Sequence, residues 1–125
     1  MKRITREDLY LEIATSIAKR STCNRANVGA ILVRDGQILG TGYNGAPSGL
    51  PHCLDTGCDM LDGHCVRTVH AEVNAVLSAA KNGVSTRGAT VYSTHKPCFR
   101  CKQVLTNAGV TEVIWVKDYQ DGRND

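Results

Sequence analysis

The sequence predicts an α/β domain in which helices cover a sheet, and three observations carry that prediction. Several segments repeat apolar residues at helical spacing, which is typical of amphipathic helices. Short β-branched runs alternate with helices in the second half, which favours parallel strands there. In the first half, two apolar runs flank an Asp-Gly pair, which favours a hairpin. The chain has 125 residues, which suits a single domain, 1–125.

The first predicted element is a helix over residues 5–20. Thr5 precedes Asp8 in a capping arrangement, in which a threonine side chain accepts a hydrogen bond from a backbone N–H of the first turn. Apolar residues then recur every four positions on one face of the helix: Leu9, Ile13 and Ile17. The pattern therefore predicts an amphipathic helix.

A β-hairpin is predicted next, with strands over residues 28–33 and 37–41. Asp35 and Gly36 lie between the two runs, and such a pair is a strong signal for a tight turn. Residues 42–66 then contain seven Gly or Pro residues, so we expect a long irregular loop there. Irregular loops of this length are usually functional.

The second half is predicted to form a helix, a strand, a second helix and a second strand. Their ranges are 70–82, 89–94, 98–107 and 111–116. Gly83 and Gly109 are expected just beyond the ends of the two helices, and Pro97 opens the second one.

Composition and charge exclude several classes of protein. Hydrophobic residues make up 42% and charged residues 22% of the chain, so we expect a packed core. The apolar runs are far shorter than the roughly 20 residues of a membrane span, and the first residues lack a secretory signal. We therefore expect a cytoplasmic location, or the host cytoplasm for a viral protein, and no membrane partner. The net charge of +3 is spread along the chain and residues 46–69 contain no aromatic residue, so no polynucleotide partner is expected.

The cysteines indicate metal binding. The chain has six, and in a reducing compartment cysteines are more often metal ligands than disulfide partners. Cys98 and Cys101 share the first turn of a predicted helix, and His70 opens another. One imidazole and two thiolates suit Zn²⁺ and leave a fourth position open, as in catalytic zinc sites. Glu72 is placed to transfer protons as a general acid and base. A structural zinc site, a redox-active pair and core packing are the alternatives.

A second group of cysteines lies outside this motif. Four of them would supply the ligands of a structural zinc ion: Cys23, Cys53, Cys58 and Cys65. His52 and His64 lie among them in sequence, and either could replace a cysteine. Such a site would cross-link the entry of the hairpin to the long loop and order that loop. The alternative is that these cysteines pack as small apolar residues.

Three separated motifs carry a resemblance to a known family. The segments HAEVNAV and PCFRC resemble the H-x-E and P-C-x-x-C signature of zinc-dependent nucleobase deaminases. The segment VGAILVRDGQILGTGYNGAPSG, with its GYNG turn, and Asn74 resemble the deoxycytidylate (dCMP) deaminases of the cytidine/deoxycytidylate deaminase family. This resemblance covers residues 5–119. It implies a three-layer α/β/α fold with a mixed central sheet of about five strands and covering helices.

The resemblance implies hydrolytic deamination of dCMP to dUMP and ammonia, which would supply dUMP for dTMP synthesis. A water activated by zinc would attack C4 of cytosine while Glu72 protonates N3 and later the departing amine. The zinc ligands would be His70, Cys98 and Cys101. Some dCMP deaminases also carry a second zinc ion.

The resemblance also suggests residues for substrate recognition. Asn27, Asn44 and the backbone of Ala71 would border the pyrimidine and the sugar, and Tyr119 would help to close the nucleotide pocket. Asn44 precedes a glycine and is also an ordinary turn residue. Tyr119 is equally well interpreted as packing over the sheet edge.

An effector site is a further implication. In dCMP deaminases the GYNG region takes part in a site where dCTP activates and dTTP inhibits, and the subunits form hexamers. The resemblance therefore implies effector binding at Tyr43, Asn44 and Gly45. It also implies Mg²⁺ bound together with a triphosphate effector, and a homohexamer.

The sequence is also compatible with two other functions. The same signature occurs in deaminases of cytidine, tRNA adenosine and antibiotic nucleosides, although the GYNG loop and Asn74 favour a nucleotide. The other alternative is a non-catalytic, zinc-stabilised interaction module. Glu72 distinguishes an enzyme from such a module, because a purely structural zinc site has no use for an acid beside an open metal position.

Overall fold

A computed structural model describes residues 2–23, 26–61, 64–65 and 67–117. The elements in chain order are α1 (Arg6–Ala18), β1 (Gly29–Arg34), β2 (Gln37–Tyr43), α2 (Cys53–Thr56), β3 (Met60–Leu61), β4 (His64–Cys65), α3 (Ala71–Lys81), β5 (Thr90–His95), α4 (Phe99–Asn107) and β6 (Glu112–Lys117). No helix within these residues is both long and apolar enough to cross a membrane.

The central sheet is mixed, as predicted. Its strands lie in the order β2-β1-β5-β6. Strand β1 is antiparallel to both β2 and β5, whereas β5 and β6 are parallel. The hairpin turn is confirmed, because Asp35 and Gly36 both have positive φ, 51° and 75°. The resemblance implied about five strands, and the described residues contribute four strands to this sheet.

Helices cover both faces of the sheet, which confirms the three layers. Ala30 and Leu32 of β1 belong to a buried cluster that includes Leu105 of α4 and several alanines of α3. Ile31 and Val33, which alternate with them, join Tyr10 of α1 in a second cluster. Because neighbouring side chains of a strand point to opposite faces, β1 supplies the core on both sides.

The helix α1 begins as predicted but buries a different face. Thr5 caps it and accepts a hydrogen bond from the Asp8 N–H at 3.1 Å. The buried residues are Tyr10, Ala14 and Ala18, whereas Leu9 is 38% exposed. The expected apolar face was therefore wrong at Leu9. Small residues face the sheet because the backbones come close: a Cβ on Gly29 would stand 2.2 Å from the Ala14 carbonyl oxygen.

The same kind of close packing holds α3 against β2. The buried face of α3 is rich in alanine, while Leu77 is 53% exposed. A Cβ on Gly42 of β2 would lie 2.2 Å from the Ala71 carbonyl oxygen and 2.5 Å from the Ala75 nitrogen. Gly42 therefore allows the first turn of α3 to lie directly on the strand.

The segment 42–66 is more regular than its Gly and Pro content predicted. Tyr43 extends β2, and the segment also contains the one-turn helix α2 and the short antiparallel pair β3 and β4. Long-range hydrogen bonds hold this segment: the Leu54 N–H donates to the Thr22 carbonyl at 3.1 Å, and Arg67 Nε donates to the Gly57 carbonyl at 3.0 Å. The expectation of a structureless loop was wrong because such distant contacts are not visible in local composition.

Candidate active site

Two helix N-termini bring His70, Cys98 and Cys101 together. His70 is the N-cap of α3 and Cys98 is the N-cap of α4. The His70 Nδ1 atom lies 3.2 Å from the Cys101 sulfur and 3.4 Å from the Cys98 sulfur. We expected Cys98 inside the first turn of the helix. It instead caps that turn, because its sulfur accepts a hydrogen bond from the Cys101 N–H at 3.4 Å.

The donor set fits a zinc ion. One ligand atom from each of the three residues lies within 4.8 Å of the others. Bond lengths of about 2.0 Å for Zn–N and about 2.3 Å for Zn–S in a tetrahedron place neighbouring ligand atoms about 3.5–3.8 Å apart. The observed separations between nitrogen and sulfur, 3.2 and 3.4 Å, are close to this range. Three protein ligands also leave a fourth position for a water or a substrate.

Glu72 lies in the first turn of α3, two residues after His70. Its side chain is fully buried. Ser93 of β5 is also fully buried, and its hydroxyl donates a hydrogen bond to Glu72 Oε2 at 3.4 Å. This contact orients the carboxylate from the sheet side. Our reading of the sequence missed Ser93, although a polar residue at an inward position of an apolar strand was a usable signal.

Asn44 caps helix α3 from a distant segment. It is 1% exposed, its Oδ1 accepts a hydrogen bond from the Ala71 N–H at 2.8 Å, and its Nδ2 donates to the Ala26 carbonyl at 3.4 Å. The N-cap residue His70 makes no side-chain cap of its own. Asn44 thus satisfies one of the N–H groups that lack a partner within the helix at its N-terminus. Substrate contact by Asn44 and by the Ala71 backbone stays a prediction.

The other residues predicted to contact ligands lie in several different segments of the chain. Asn27 is exposed and lines a cavity at the end of β5. Tyr43 is half-buried at the end of β2, where its carbonyl accepts a hydrogen bond from Asn74 Nδ2 at 2.9 Å. Gly45 forms a β-bridge with Val69, the residue before His70. Tyr119 lies outside the described residues.

A second cluster is formed by Cys23, Cys53 and Cys58, whose sulfur atoms all lie within 4.8 Å of one another. The Cys53 sulfur also lies 3.4 Å from the Thr68 hydroxyl. His52 forms a hydrogen bond through Nδ1 with the Thr22 hydroxyl at 3.0 Å. Cys65 and His64 form β4, and their side chains lie outside the described part of the structure.

Together, the three-layer fold, the donor set and the buried carboxylate two residues after His70 define a zinc-binding deaminase domain. The family model of the cytidine and deoxycytidylate deaminase zinc-binding region matches residues 4–117, and the chain belongs to this family. The resemblance seen in the sequence motifs is thereby confirmed.

Individual relatives agree with this assignment. The chain is 45% identical to ComE operon protein 2 of Bacillus subtilis, covering 96% of this chain and 64% of that protein, which is just under two thirds of its length. It is 37% identical to the deoxycytidylate deaminase of Mycobacterium phage D29, covering 94% and 99% of the two chains. The crystal structure of the dCMP deaminase from cyanophage S-TIM5 with dCMP and dUMP superposes with a TM-score of 0.80 at 35% identity, covering 94% of this chain and 86% of that chain.

Proposed function

We propose that this chain catalyses the hydrolytic deamination of dCMP to dUMP and ammonia, and so supplies dUMP for dTMP synthesis. The observation that carries the proposal is the cluster of His70, Cys98 and Cys101 together with the buried side chain of Glu72, two residues after His70 in the first turn of α3. The 35% identity to an enzyme crystallised with dCMP and dUMP supports the choice of nucleotide.

His70, Cys98 and Cys101 would hold the catalytic zinc ion. When bound, such an ion lowers the pKa of water from about 16 towards about 7, and so supplies a nucleophile at neutral pH. The chain contributes a site that is already assembled at two helix N-termini, where the helix dipoles favour the negative charge of the thiolates.

Glu72 would move the protons of the reaction. Its carboxylate accepts a proton from the attacking water and donates it to N3 of cytosine while a C–O bond forms at C4. It then delivers a second proton from the same water to the amine, the C4–N4 bond breaks, and ammonia leaves. The Ser93 hydrogen bond to Oε2 holds the carboxylate in one orientation through both transfers.

Further contacts are proposed for substrate and effectors. Asn27 and Tyr119 would border the bound nucleotide, and the position of Asn27 at a cavity supports its role. Asn44 and Ala71 would have to exchange their present hydrogen bond to contact a ligand. At the effector site, Tyr43, Asn44 and Gly45 would bind dCTP with Mg²⁺, or dTTP. A homohexamer in the cytoplasm completes the proposal.

A structural zinc ion is proposed at Cys23, Cys53 and Cys58. Their mutual approach within 4.8 Å supports this site. Cys65 would be the fourth ligand, because its backbone pairs with Met60, two residues from Cys58. Four protein ligands would leave no open position, as in other structural zinc sites.

The test is a substrate comparison. The purified zinc-loaded protein is mixed separately with dCMP, deoxycytidine, CMP and dCTP, and the loss of cytosine absorbance is followed with and without a zinc chelator. We expect chelator-sensitive turnover of dCMP in preference to the other three. Because dCTP is an expected activator, dCMP is also assayed in its presence.

Glu72→Gln is the matched variant for this assay. We expect turnover to fall about 10²–10⁴-fold, since the amide cannot transfer the proton, while zinc content and the far-UV spectrum stay as in the wild type. A folded, zinc-loaded wild type that deaminates none of the substrates would overturn the proposal. Loss of zinc in Glu72→Gln would instead give Glu72 a structural role.

A further inference from the structure

The three cysteines of the second cluster differ in how easily solvent reaches them. Cys23 and Cys53 are 4% and 3% exposed, whereas Cys58 is only half-buried. Their sulfur atoms all lie within 4.8 Å of one another. An accessible thiol beside a buried one is typical of redox-sensing cysteines, in which the second thiol reacts with the oxidised first one.

A tight turn connects Cys53 to Cys58. The Gly57 N–H donates to the Cys53 carbonyl at 2.7 Å, and Gly57 has a φ of 83°, in the region that favours glycine. The chain therefore turns back immediately before Cys58. Arg67 Nε donates to the Gly57 carbonyl at 3.0 Å and holds this turn from a later segment. Because a disulfide needs its sulfur atoms about 2 Å apart, rotation of the two side chains has to close at most about 3 Å.

The segment that carries this pair buries little apolar surface. Leu54 and Leu61 are 64% and 60% exposed, and helix α2 has four residues. Segments with few buried apolar contacts open locally at a free energy far below that of global unfolding. A small oxidant therefore reaches Cys58, and the two sulfur atoms approach each other without unfolding of the core.

We propose that Cys58 and Cys53 form a peroxide-sensitive pair, in which Cys58 is oxidised first and Cys53 completes a disulfide. Peroxide transfers one oxygen atom to the Cys58 thiol, so the O–O bond breaks, a sulfenic acid forms and water leaves. The Cys53 sulfur then attacks the Cys58 sulfur. The S–S bond forms, the S–O bond breaks, and a second water leaves with the proton of the Cys53 thiol. The two thiols lose two electrons, and one peroxide is reduced to two waters.

Hydrogen bonds connect this pair to the start of α3. The N–H of Leu54, next to Cys53, donates to the Thr22 carbonyl at 3.1 Å, and the Thr22 N–H donates to the Asn44 carbonyl at 2.9 Å. Asn44 Oδ1 in turn accepts from the Ala71 N–H. A disulfide would also remove two thiolate ligands from the structural zinc site proposed above. Oxidation should therefore loosen the first turn of α3.

The experiment maps the disulfide in the zinc-loaded full chain. The protein is treated with an equimolar amount of hydrogen peroxide, the remaining thiols are alkylated in denaturant, and tryptic peptides are weighed by mass spectrometry. Trypsin leaves Cys53, Cys58 and Cys65 on one peptide, residues 35–67. We expect this peptide to carry one alkyl group instead of three, and three again after reduction with dithiothreitol. A second digestion at aspartates cuts on both sides of Cys58, so the fragments that stay joined identify the pair.

Cys58→Ser and Cys23→Ser are the matched variants, since each removes one cysteine of the cluster. We expect no disulfide in Cys58→Ser, because the accessible thiol is gone. Cys23→Ser keeps the pair and should form the same bond as the wild type. Both variants lose a ligand of the proposed zinc site, so a difference between them reports on the pair and not on the ion.

Two further measurements test the consequences of oxidation. A chromogenic chelator should detect about one equivalent of zinc released per chain. Hydrogen exchange in the first turn of α3 should become about tenfold faster, because the cap at the Ala71 N–H is weakened. Both changes should reverse after reduction and return of zinc. Neither measurement depends on deaminase activity.

Several outcomes would overturn the inference. Three alkyl groups after peroxide treatment would show that no pair forms. A bond between residues 35–67 and residues 21–25, which contain Cys23, would show that Cys53 is not the partner. Unchanged exchange in α3 after disulfide formation would remove the connection to that helix. If the chain deaminated no substrate but still formed the bond reversibly, the proposed function would fail and this inference would stand.

Discussion

The two clusters of metal-binding side chains are built on different kinds of local structure. His70 and Cys98 are the N-caps of helices with 11 and 9 residues, and both helices pack on the core. Cys53 begins a helix of four residues, while Cys23 and Cys58 lie outside regular elements. The first cluster is positioned by helices that pack on the core through other residues. The second connects segments that have little regular structure.

The surroundings of the two clusters also differ in how much apolar surface they bury. Helix α3 places a nearly continuous row of small residues in the core. In the segment around the second cluster the large apolar side chains are mostly exposed, and these are Leu50, Leu54, Met60 and Leu61. Because that segment buries little apolar surface, a metal cross-link would contribute much of its folding free energy. We infer that the first cluster is preorganised for its ion, whereas the segment around the second gains more of its stability from the ion.

The largest effect is expected from Cys98→Ser. Loss of an outer partner of a metal ligand already costs about 10–100-fold in affinity, so removing a ligand should lower zinc-dependent turnover more than about 100-fold. The fold should survive, because serine is a preferred N-cap and can accept the Cys101 N–H in place of the sulfur. Thermal unfolding in the presence of a chelator should match that of the chelated wild type. A collapse of the fold would show that the first cluster is not preorganised.

Cys53→Ser is the matched change in the second cluster. We expect zinc to fall from about two equivalents per chain to about one, and the midpoint of thermal unfolding to drop. Limited proteolysis should then cut the segment around α2 faster than in the wild type, while the Cys98→Ser variant should not show this. A value of one equivalent of zinc per chain in the wild type would show that the second cluster does not bind zinc.

Asn44→Ala tests how the first cluster is held in place. The substitution leaves the buried Ala71 N–H without its acceptor, so the free energy of unfolding should fall by about 1–3 kcal/mol. Asn82→Ala at the other end of α3 is the control. Asn82 is exposed and donates to the Ser78 carbonyl at 2.9 Å, so its loss should cost less than about 0.5 kcal/mol. Urea denaturation measures both values.

The smallest effect is expected at Tyr92, which packs on the face of the sheet that α1 covers. Burial, followed by the nearby charges of Glu112, Tyr10 and Glu7, raises the pKa of Tyr92. The phenol therefore ionises later in the folded chain than in the unfolded one, so stability is lost as the pH rises above about 10. Tyr92→Phe should lose less stability than the wild type between pH 9 and 11, with or without zinc. A difference that depends on zinc would link this side of the sheet to the metal sites.

The contrast between locally built and long-range structure also separates the features that the sequence predicted from those that it did not. The helices α1, α3 and α4, the hairpin and the parallel pairing in the second half were predictable, since each rests on periodicity or turn residues close together in the chain. His70, Cys98 and Cys101 were predictable for a similar reason, because short motifs place them at helix starts. The structure brings these three together. Their catalytic role is part of the proposal.

The features that the sequence did not predict depend on contacts between distant segments of the chain. Leu9 was expected on the buried face of α1 because large apolar residues dominate a periodic pattern, yet the helices present alanines to glycine-containing strands. The Asn44 cap and the Ser93 contact join residues 27 and 21 positions apart in the chain. The order within segment 42–66 likewise comes from partners outside it, such as Thr22.

Gly42 has a consequence for any attempt to change the substrate. A methyl group there would meet the carbonyl oxygen of Ala71, the residue between His70 and Glu72. One added carbon would therefore displace His70 and Glu72 together, and the two could not be adjusted separately from this strand. A mutant library aimed at new substrates should therefore leave position 42 as glycine.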